Sequence, residues 1–286
     1  MGRAIEINEE IEKKVLHNYV DLNMSLCKSG EEFNLKQFHV EFILEKYGVN
    51  KRTYTEAKQL GRKFPCNDNY FKVQSHNMAY ILGLLASDGC VSVKENLVAI
   101  QLLNEDKNIL EKINEETGNT RPLESYIRKN TGHEIVSLRV WSREWKNDLA
   151  HYGIVPQKTF KLTPPTFLAP EYRIDYIRGY FDGDGTIYHV DTQNRTFVQI
   201  DGTCKLVINW IKDELTNHYH VYSNKISTET LSNGTVMYKI KIGSLEEIEK
   251  LYHLFYDDTD FYLLRKKEKF QLWLNIPRDS NSLDKE

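Results

Sequence analysis

The chain has 286 residues, of which 40% are hydrophobic, 12% aromatic and 28% charged. This composition is typical of a globular protein and excludes disordered, collagen-like and repeat-array chains. The 38 basic and 41 acidic residues give a net charge of −3, so overall charge does not by itself indicate a nucleic-acid partner. The apolar run 79–86 has 8 residues, far fewer than the roughly 20 that span a bilayer.

The N-terminus and the cysteines bear on the compartment. The first residues, MGRAIEINEEIEKK, are charged and lack the apolar core of a secretory signal. The four cysteines form no C-x-x-C pair, so we expect a reducing compartment and no cysteine-based metal site. The sequence therefore predicts a cytoplasmic protein without a membrane partner.

Residues 1–62 predict a small all-α domain. Apolar residues from Ile11 to Leu22 recur at three- and four-residue steps, which is the period of one helix face. A later helical stretch ends near Gly48, and the basic segment 51–58 follows it. A helix, a glycine turn and a second helix are the outline of a helix-turn-helix, whose second helix enters a major groove. An ordinary helical bundle explains the same pattern equally well.

Basic residues are concentrated around this turn. Residues 44–75 contain 7 Lys and Arg against 3 Asp and Glu. A local positive field attracts phosphate groups even when the whole chain is slightly acidic. We take Arg52, Lys58 and Arg62 as candidate DNA contacts, with a merely solvated charged face as the alternative. Residues 63–77 contain Pro65 and no periodic pattern, and they predict a linker.

From residue 78 onward, helices and short strands alternate in an order that occurs twice. An apolar helix ending in Asp-Gly opens each copy, and two hairpin strands, a helix, a further strand pair and a last helix follow. The prolines of segment 162–174 predict an extended connector between the copies. The predicted strands are 90–93, 97–103, 135–141, 186–191, 196–201 and 237–242, and the predicted helices are 106–116, 141–152, 205–215 and 245–256.

An internal duplication supports the two copies. The segment AYILGLLASDGCV (79–91) aligns with DYIRGYFDGDGTI (175–187) at a constant offset of 96 residues. Gly83 then coincides with Gly179, and each glycine costs its helix about 1 kcal/mol relative to alanine. Close approach of two helix backbones is the usual reason for such small residues, so we expect the two helices to pack against each other at Gly83 and Gly179.

Each of these helices ends in an aspartate, Asp88 or Asp184, directly before glycine. A carboxylate is electrostatically misplaced there, because the C-terminal end of a helix already carries partial negative charge. Two such carboxylates at the ends of neighbouring helices repel each other as well. A divalent cation such as Mg²⁺ would relieve both effects, since it prefers carboxylate and carbonyl oxygens.

The segments ILGLLASDG (81–89) and IRGYFDGDG (177–185) resemble the paired signature motifs of the LAGLIDADG (DOD-type) homing endonucleases, in their single-chain form. The resemblance extends over roughly residues 70–275. It implies an α+β fold in which two pseudo-symmetric αββαββα halves form a saddle-shaped β-platform around two packed motif helices. The halves would be residues 78–161 and 175–276, followed by a disordered tail, 277–286.

The resemblance also implies a catalytic site. Its metal ligands would be Asp88, Asp184 and the backbone carbonyls of Ser87 and Gly183, with Mg²⁺ as cofactor and Mn²⁺ as a substitute. A basic residue closing each half would stabilise charge at the scissile phosphate, Lys158 in the first half and Lys266 in the second, where the neighbouring Arg265 leaves the register open. The second acidic position of the motif is Asp182 in one copy and alanine in the other.

The strands supply further candidate DNA contacts. Alternate residues of a strand share a face, so Arg139 and Arg143 would lie together in the first half, and Lys239 and Lys241 in the second. A basic, polar face of this kind suits the major groove. An ordinary solvated outer face is the alternative for each of these residues taken singly.

The function implied by the resemblance is a site-specific DNA endonuclease that makes metal-dependent double-strand breaks with 3′ overhangs. The expected partner is double-stranded DNA, and the expected state is a monomer without an obligate protein partner. Such a protein would belong to an intron or a phage mobile element, in a bacterial cytoplasm or an organelle. A cleavage-inactive DNA-binding regulator and an intron RNA maturase of the same fold are the alternatives.

Overall fold

A computed structural model describes residues 7–54, 56–57 and 62–275. The chain divides into two compact units, Met1–Pro65 and Cys66–Glu286. The predicted tail 277–286 and Lys58 lie outside the described residues. None of the helices in the described part is long and apolar enough to cross a membrane.

The first unit is helical, as predicted. It contains α1 (Glu9–Val20), α2 (Leu26–Glu31) and α3 (Gln37–Lys46), which enclose a small apolar core. Asn8 and Ser25 cap α1 and α2 by accepting hydrogen bonds from backbone N–H groups in the first turns.

The chain turns at Gly48 after α3, with a φ of +69° that favours glycine. Thr53 and Glu56 then exchange the hydrogen bonds of a capping box, and residues 54, 56 and 57 are helical. A helix, a glycine turn and the capped start of a second helix are therefore present in the order that the sequence predicts.

The second unit is a mixed α+β structure with two four-stranded antiparallel sheets. The strand orders are β1-β2-β4-β3 and β5-β6-β8-β7. The strands are β1 (Gly89–Val91), β2 (Leu97–Leu103), β3 (Glu124–Ile127), β4 (Glu134–Trp141), β5 (Gly185–Val190), β6 (Arg195–Gly202), β7 (Ser227–Thr230) and β8 (Val236–Ile242). The helices are α4 (His76–Ser87), α5 (Lys107–Glu116), α6 (Arg143–His151), α7 (Arg173–Asp184), α8 (Lys205–Asn217), α9 (Leu245–Tyr256) and α10 (Leu264–Leu274).

In both sheets, the glycine that begins the first strand pairs with a buried isoleucine of the second strand. Ile100 lies between Gly89 and Leu138 in the first sheet, whereas Ile200 lies between Gly185 and Ile240 in the second. Because side chains alternate along a strand, the buried isoleucines turn one face of each sheet to the core. Helices α4 and α7, both almost wholly buried, share this single core with the two sheets.

The two predicted linkers differ from the structure. Within 63–77, residues from Cys66 onward belong to the second unit, where Phe71 packs edge-on against Trp145. Within 162–174, Leu168 is buried and α7 already begins at Arg173. Both segments lack a regular pattern, yet they carry apolar side chains whose burial fixes them on the core.

Candidate active site

Helices α4 and α7 touch through their backbones. A Cβ atom built on Gly83 would lie 2.0 Å from the carbonyl oxygen of Tyr176, and one on Gly179 would lie 2.0 Å from the carbonyl oxygen of Tyr80. No larger residue fits either position, because real Cβ contacts are not that short. The contact therefore explains both glycines and brings the two helix C-termini together.

Asp88 and Asp184 lie at these C-termini. Asp88 caps α4, and Asp184 is the last residue of α7. The Asp88 carboxylate reaches the other helix, since a Cβ on Gly183 would lie 2.9 Å from its Oδ2 and 2.0 Å from the hydroxyl oxygen of Ser87. No ion pair joins either carboxylate to an arginine within residues 7–54, 56–57 and 62–275.

The surroundings oppose ionisation of both acids. Loss of hydration, followed by the negative charge of Asp88, raises the pKa of Asp184 to about 6. The same loss of hydration raises the pKa of Asp88, while the ammonium groups of Lys158 and Lys266 act in the opposite direction. A cation bound between the two carboxylates would remove the repulsion between them.

Lys158 and Lys266 each close one helix end. The ammonium group of Lys158 donates to the carbonyl of Ser87 at the end of α4. That of Lys266 donates to the carbonyl of Gly185, directly after α7. Burial is the main cause that lowers the pKa of both lysines, to about 8 for Lys266. Arg265 instead pairs with Asp106 at 2.8 Å, so Lys266 is the residue at this site.

A cleft of about 410 Å³ opens beside Asp184. Lys158 lines it, as does Asp201, which belongs to none of the motifs in the sequence. Gln199 donates to Oδ2 of Asp201, whereas its buried Oδ1 has no hydrogen-bond partner in the described structure. Burial raises the pKa of this carboxyl group. The signal in the sequence is slight: one acidic residue on the face of β6 opposite the buried Ile200.

Asp88 and Asp184 fit a metal ion whose remaining ligands would come from the substrate and from water. The described residues contain no cluster of three or more His, Cys, Asp and Glu side chains able to hold an ion. Mg²⁺ is commonly held by one or two carboxylates, with waters and substrate phosphates supplying the rest, and Asp88 and Asp184 match that pattern. The carbonyl of Ser87, the predicted ligand, accepts one hydrogen bond from the ammonium group of Lys158, and its second lone pair stays open to a metal.

The basic strand residues that are candidate DNA contacts differ in whether an acidic side chain already pairs with them. Arg139 pairs with Glu124 at 2.8 Å, and Lys239 forms an ion pair with Glu229. Lys241 lies 3.7 Å from the centre of the Phe197 ring. Arg143 does not share a strand face with Arg139, because β4 ends at Trp141 and Arg143 opens α6 behind the cap Ser142. Its contact with DNA stays a prediction.

In the first unit, Arg52 has a structural environment. Its guanidinium group donates to the backbone carbonyls of Tyr19, Asn23 and Met24. It also stacks 3.8 Å from the centre of the Tyr19 ring. Carbonyls at the C-terminal end of α1 and in the following loop therefore hold the guanidinium group of Arg52, and its contact with DNA stays a prediction. Arg62 is half-buried.

Comparisons with known proteins find a similarity in structure and none in the other two searches. No protein-family model matches the chain, and no curated protein matches it. Among solved structures, the chain is similar to the crystal structure of the N-terminal LAGLIDADG domain of DUF199/WhiA, with 13% sequence identity and a TM-score of 0.43. The alignment covers 73% of this chain and 95% of that chain. A likeness of this degree carries no argument about the chemistry of the site.

Proposed function

We propose that the protein is a metal-dependent, site-specific DNA endonuclease of the LAGLIDADG type. The observation that carries the proposal is the pair of carboxylates, Asp88 and Asp184, at the touching ends of two helices. A lysine closes each of these ends. Two acids and two lysines at one point suit a phosphodiester, whose hydrolysis develops negative charge on the phosphate.

In this function, Asp88 and Asp184 would hold Mg²⁺ at the place where the DNA backbone is cut. Bound Mg²⁺ lowers the pKa of a water molecule and stabilises the leaving oxygen. Lys158 and Lys266 would place an ammonium charge beside the reacting phosphate, and their hydrogen bonds to helix-end carbonyls fix that position. One acid and one lysine from each half would serve each strand, which gives a double-strand break with 3′ overhangs.

The two sheets would bind the DNA on either side of the site. Their shared strand order supports two pseudo-symmetric halves that form one saddle. The outward face of each sheet carries polar and charged residues, and such a face can read base edges in the major groove. The capped helix after Gly48 would add contacts from the first unit, and the protein would act as a monomer in the cytoplasm.

The test is cleavage of a randomised duplex DNA library with Mg²⁺, read by sequencing the ends that are produced. We expect the wild type to cut a defined subset of the library and leave 3′ overhangs. Asp88→Asn and Asp184→Asn should abolish the double-strand break while keeping DNA affinity in Ca²⁺. Cys90→Ser is a matched control from the same surface, and it should cut like the wild type.

Two results would overturn the proposal. One is wild-type protein that binds DNA in Ca²⁺ but cuts nothing with either Mg²⁺ or Mn²⁺. The other is full-rate cleavage by Asp88→Asn or Asp184→Asn, which would remove the two carboxylates from the chemistry.

A DNA-binding regulator without cleavage activity is the second candidate. The observation that favours it is that the described residues contain no group of three or more His, Cys, Asp and Glu side chains able to hold an ion. Selection of a defined DNA sequence by the wild type without any cleavage would support this function instead.

A further inference from the structure

Asp182 is buried and is not one of the two carboxylates, Asp88 and Asp184, that form the proposed site. Its side chain is completely inaccessible to solvent. Oδ2 accepts hydrogen bonds from the hydroxyl of Tyr80 and from the backbone N–H of Leu263, both at 2.8 Å. The equivalent residue of α4, at the offset of 96, is Ala86. The cost of burying an acid is therefore borne in only one of the two helices.

The bond to Leu263 reaches Lys266 within one helical turn. Leu263 is the N-cap residue directly before α10, and its carbonyl accepts the backbone N–H of Lys266 at 2.9 Å. The Lys266 side chain is buried beside the ring of Phe181 and donates to the carbonyl of Gly185. Asp182 thus fixes the start of the helix that delivers this ammonium group.

A second contact holds the same segment from α7. The guanidinium group of Arg178 donates to the carbonyl of Phe261 at 3.1 Å, and it forms an ion pair with Asp175 at 2.8 Å. The segment before α10 is therefore anchored by two polar side chains, Arg178 and Asp182, that lie about one turn apart on α7. The equivalents of Asp175 and Arg178 in α4 are Ala79 and Leu82, at the offset of 96.

Lys158 is held by other means. The turn that follows it is closed by its own backbone, since the Lys158 carbonyl accepts from the N–H groups of Lys161 and Leu162. Gly153, with a φ of +85°, accepts from the N–H of Thr163 and closes the loop around it. Ala86 has no polar group with which to anchor this loop.

We propose that Asp182 is a positioning residue for Lys266, and that it controls the cleavage of one DNA strand only. The inference rests on the proposed endonuclease function. Asp182 touches neither substrate nor metal in this role. Its carboxylate fixes the first turn of α10, and loss of that bond displaces the Lys266 ammonium group while Lys158 stays in place.

The test measures both strands separately on a duplex that carries a different fluorophore on each strand. Asp182→Ala should slow cleavage of one strand by about 10²-fold, the loss expected from a displacement of about 1 Å, and nicked duplex should accumulate. Asp182→Asn should restore cleavage, because its amide oxygen still accepts the Leu263 N–H. Tyr80→Phe is the matched control: it removes the other bond to the same oxygen and should leave both rates unchanged. DNA affinity in Ca²⁺ should not change in any of them.

A second measurement is independent of cleavage. The rate at which an acylating reagent modifies Lys266, followed by peptide mass spectrometry, should rise in Asp182→Ala and stay low in Tyr80→Phe. If Asp182→Ala does not fold, Asp182→Ser replaces it, since its shorter side chain does not reach Leu263.

Equal slowing of both strands, or Lys266 modification at the wild-type rate in a folded Asp182→Ala or Asp182→Ser protein, would overturn the positioning role. If the wild type cuts neither strand, the proposed function fails by itself. In that case the acylation rate still decides whether Asp182 fixes Lys266.

Discussion

Helices α4 and α7 pack against each other through a glycine of each helix, but most of the other side chains that they bury are different. Both cross at a glycine, and both have at the C-terminal end an aspartate whose pKa is raised. Helix α4 buries only apolar side chains and its glycine between Met78 and Ala86, apart from the hydroxyl of Tyr80. Helix α7 buries Asp175, Arg178 and Asp182 as well.

Some features of the site are common to both helices, and others belong to α7 alone. The glycine contact and the terminal acids occur in both helices, and they create the paired carboxylates. The charged groups of α7 occur once, and they anchor the chain before α10. In the proposed positioning role they hold Lys266, whereas a closed backbone loop holds Lys158.

The largest expected effect tests the shared contact. In Gly83→Ala, the new Cβ would lie 2.0 Å from a backbone oxygen that cannot move without separating the helices. We expect the free energy of unfolding to fall by at least about 3 kcal/mol, measured by urea denaturation. Gly234→Ala is the control, since its Cβ meets no atom within 4 Å and only its φ of +80° is strained, at about 1 kcal/mol. Equal losses in the two variants would contradict the contact.

The next effect compares the two lysines. Lys158→Met and Lys266→Met each remove one ammonium group while keeping most of the side-chain volume. We expect the rate of double-strand cleavage to fall by about 10²–10³-fold in both, as for other groups that stabilise transition-state charge. Strand-resolved kinetics should show that each variant affects a different strand. Slower cleavage of the same DNA strand in both variants would contradict the assignment of one lysine to each strand.

The third effect concerns the acid that only α7 contains. Burial is the main cause that raises the pKa of Asp182 to about 6, from an ordinary value of 3.8. The folded protein therefore binds a proton more tightly than the unfolded chain, and stability falls as pH rises from about 4 through 6. Asp182→Asn cannot ionise, so it should be more stable than the wild type at pH 8, by up to about 3 kcal/mol.

The measurement is urea denaturation of the metal-free protein at pH 4.5 and pH 8, values chosen on either side of about 6. The stabilisation by Asp182→Asn should be smaller at the lower pH. Asp175→Asn is the matched control on the same helix. It should destabilise the protein at both pH values, because it leaves the buried Arg178 without its ion pair. A stabilisation by Asp182→Asn that is the same at both pH values would contradict the proposed cause.

The smallest effect extends the comparison to the two sheets. Lys241 lies on the Phe197 ring, and no ion pair to it occurs in the described part of the chain, whereas Arg139 is paired with Glu124. Lys241→Ala should lower DNA affinity by about tenfold and reduce the salt dependence by about one phosphate contact. Arg139→Ala should have the smaller effect on both quantities. Fluorescence anisotropy over a salt series in Ca²⁺ measures them, and a larger effect of Arg139→Ala would reverse the ranking.

The sequence located the most regular parts of the molecule well. The duplicated segments became the two central helices, and the predicted strands 97–103 and 135–141 correspond to β2 (Leu97–Leu103) and β4 (Glu134–Trp141). These elements have strong periodic patterns, and such patterns survive packing. Arg143 was misplaced because the strand stops one residue before the helix cap, a boundary that alternation alone does not show.

By itself, the sequence determined the helix pair, its glycines and the two terminal acids, because local patterns and an internal repeat encode them. Only the tertiary structure decided which residues surround those acids. Lys266 rather than Arg265 closes the second helix because Asp106, distant in the chain, pairs with the arginine. The guanidinium group of Arg52 is held in place for a similar reason, since carbonyls more than two dozen residues away accept its hydrogen bonds. Partners so far apart in the chain meet only when the core brings their elements together.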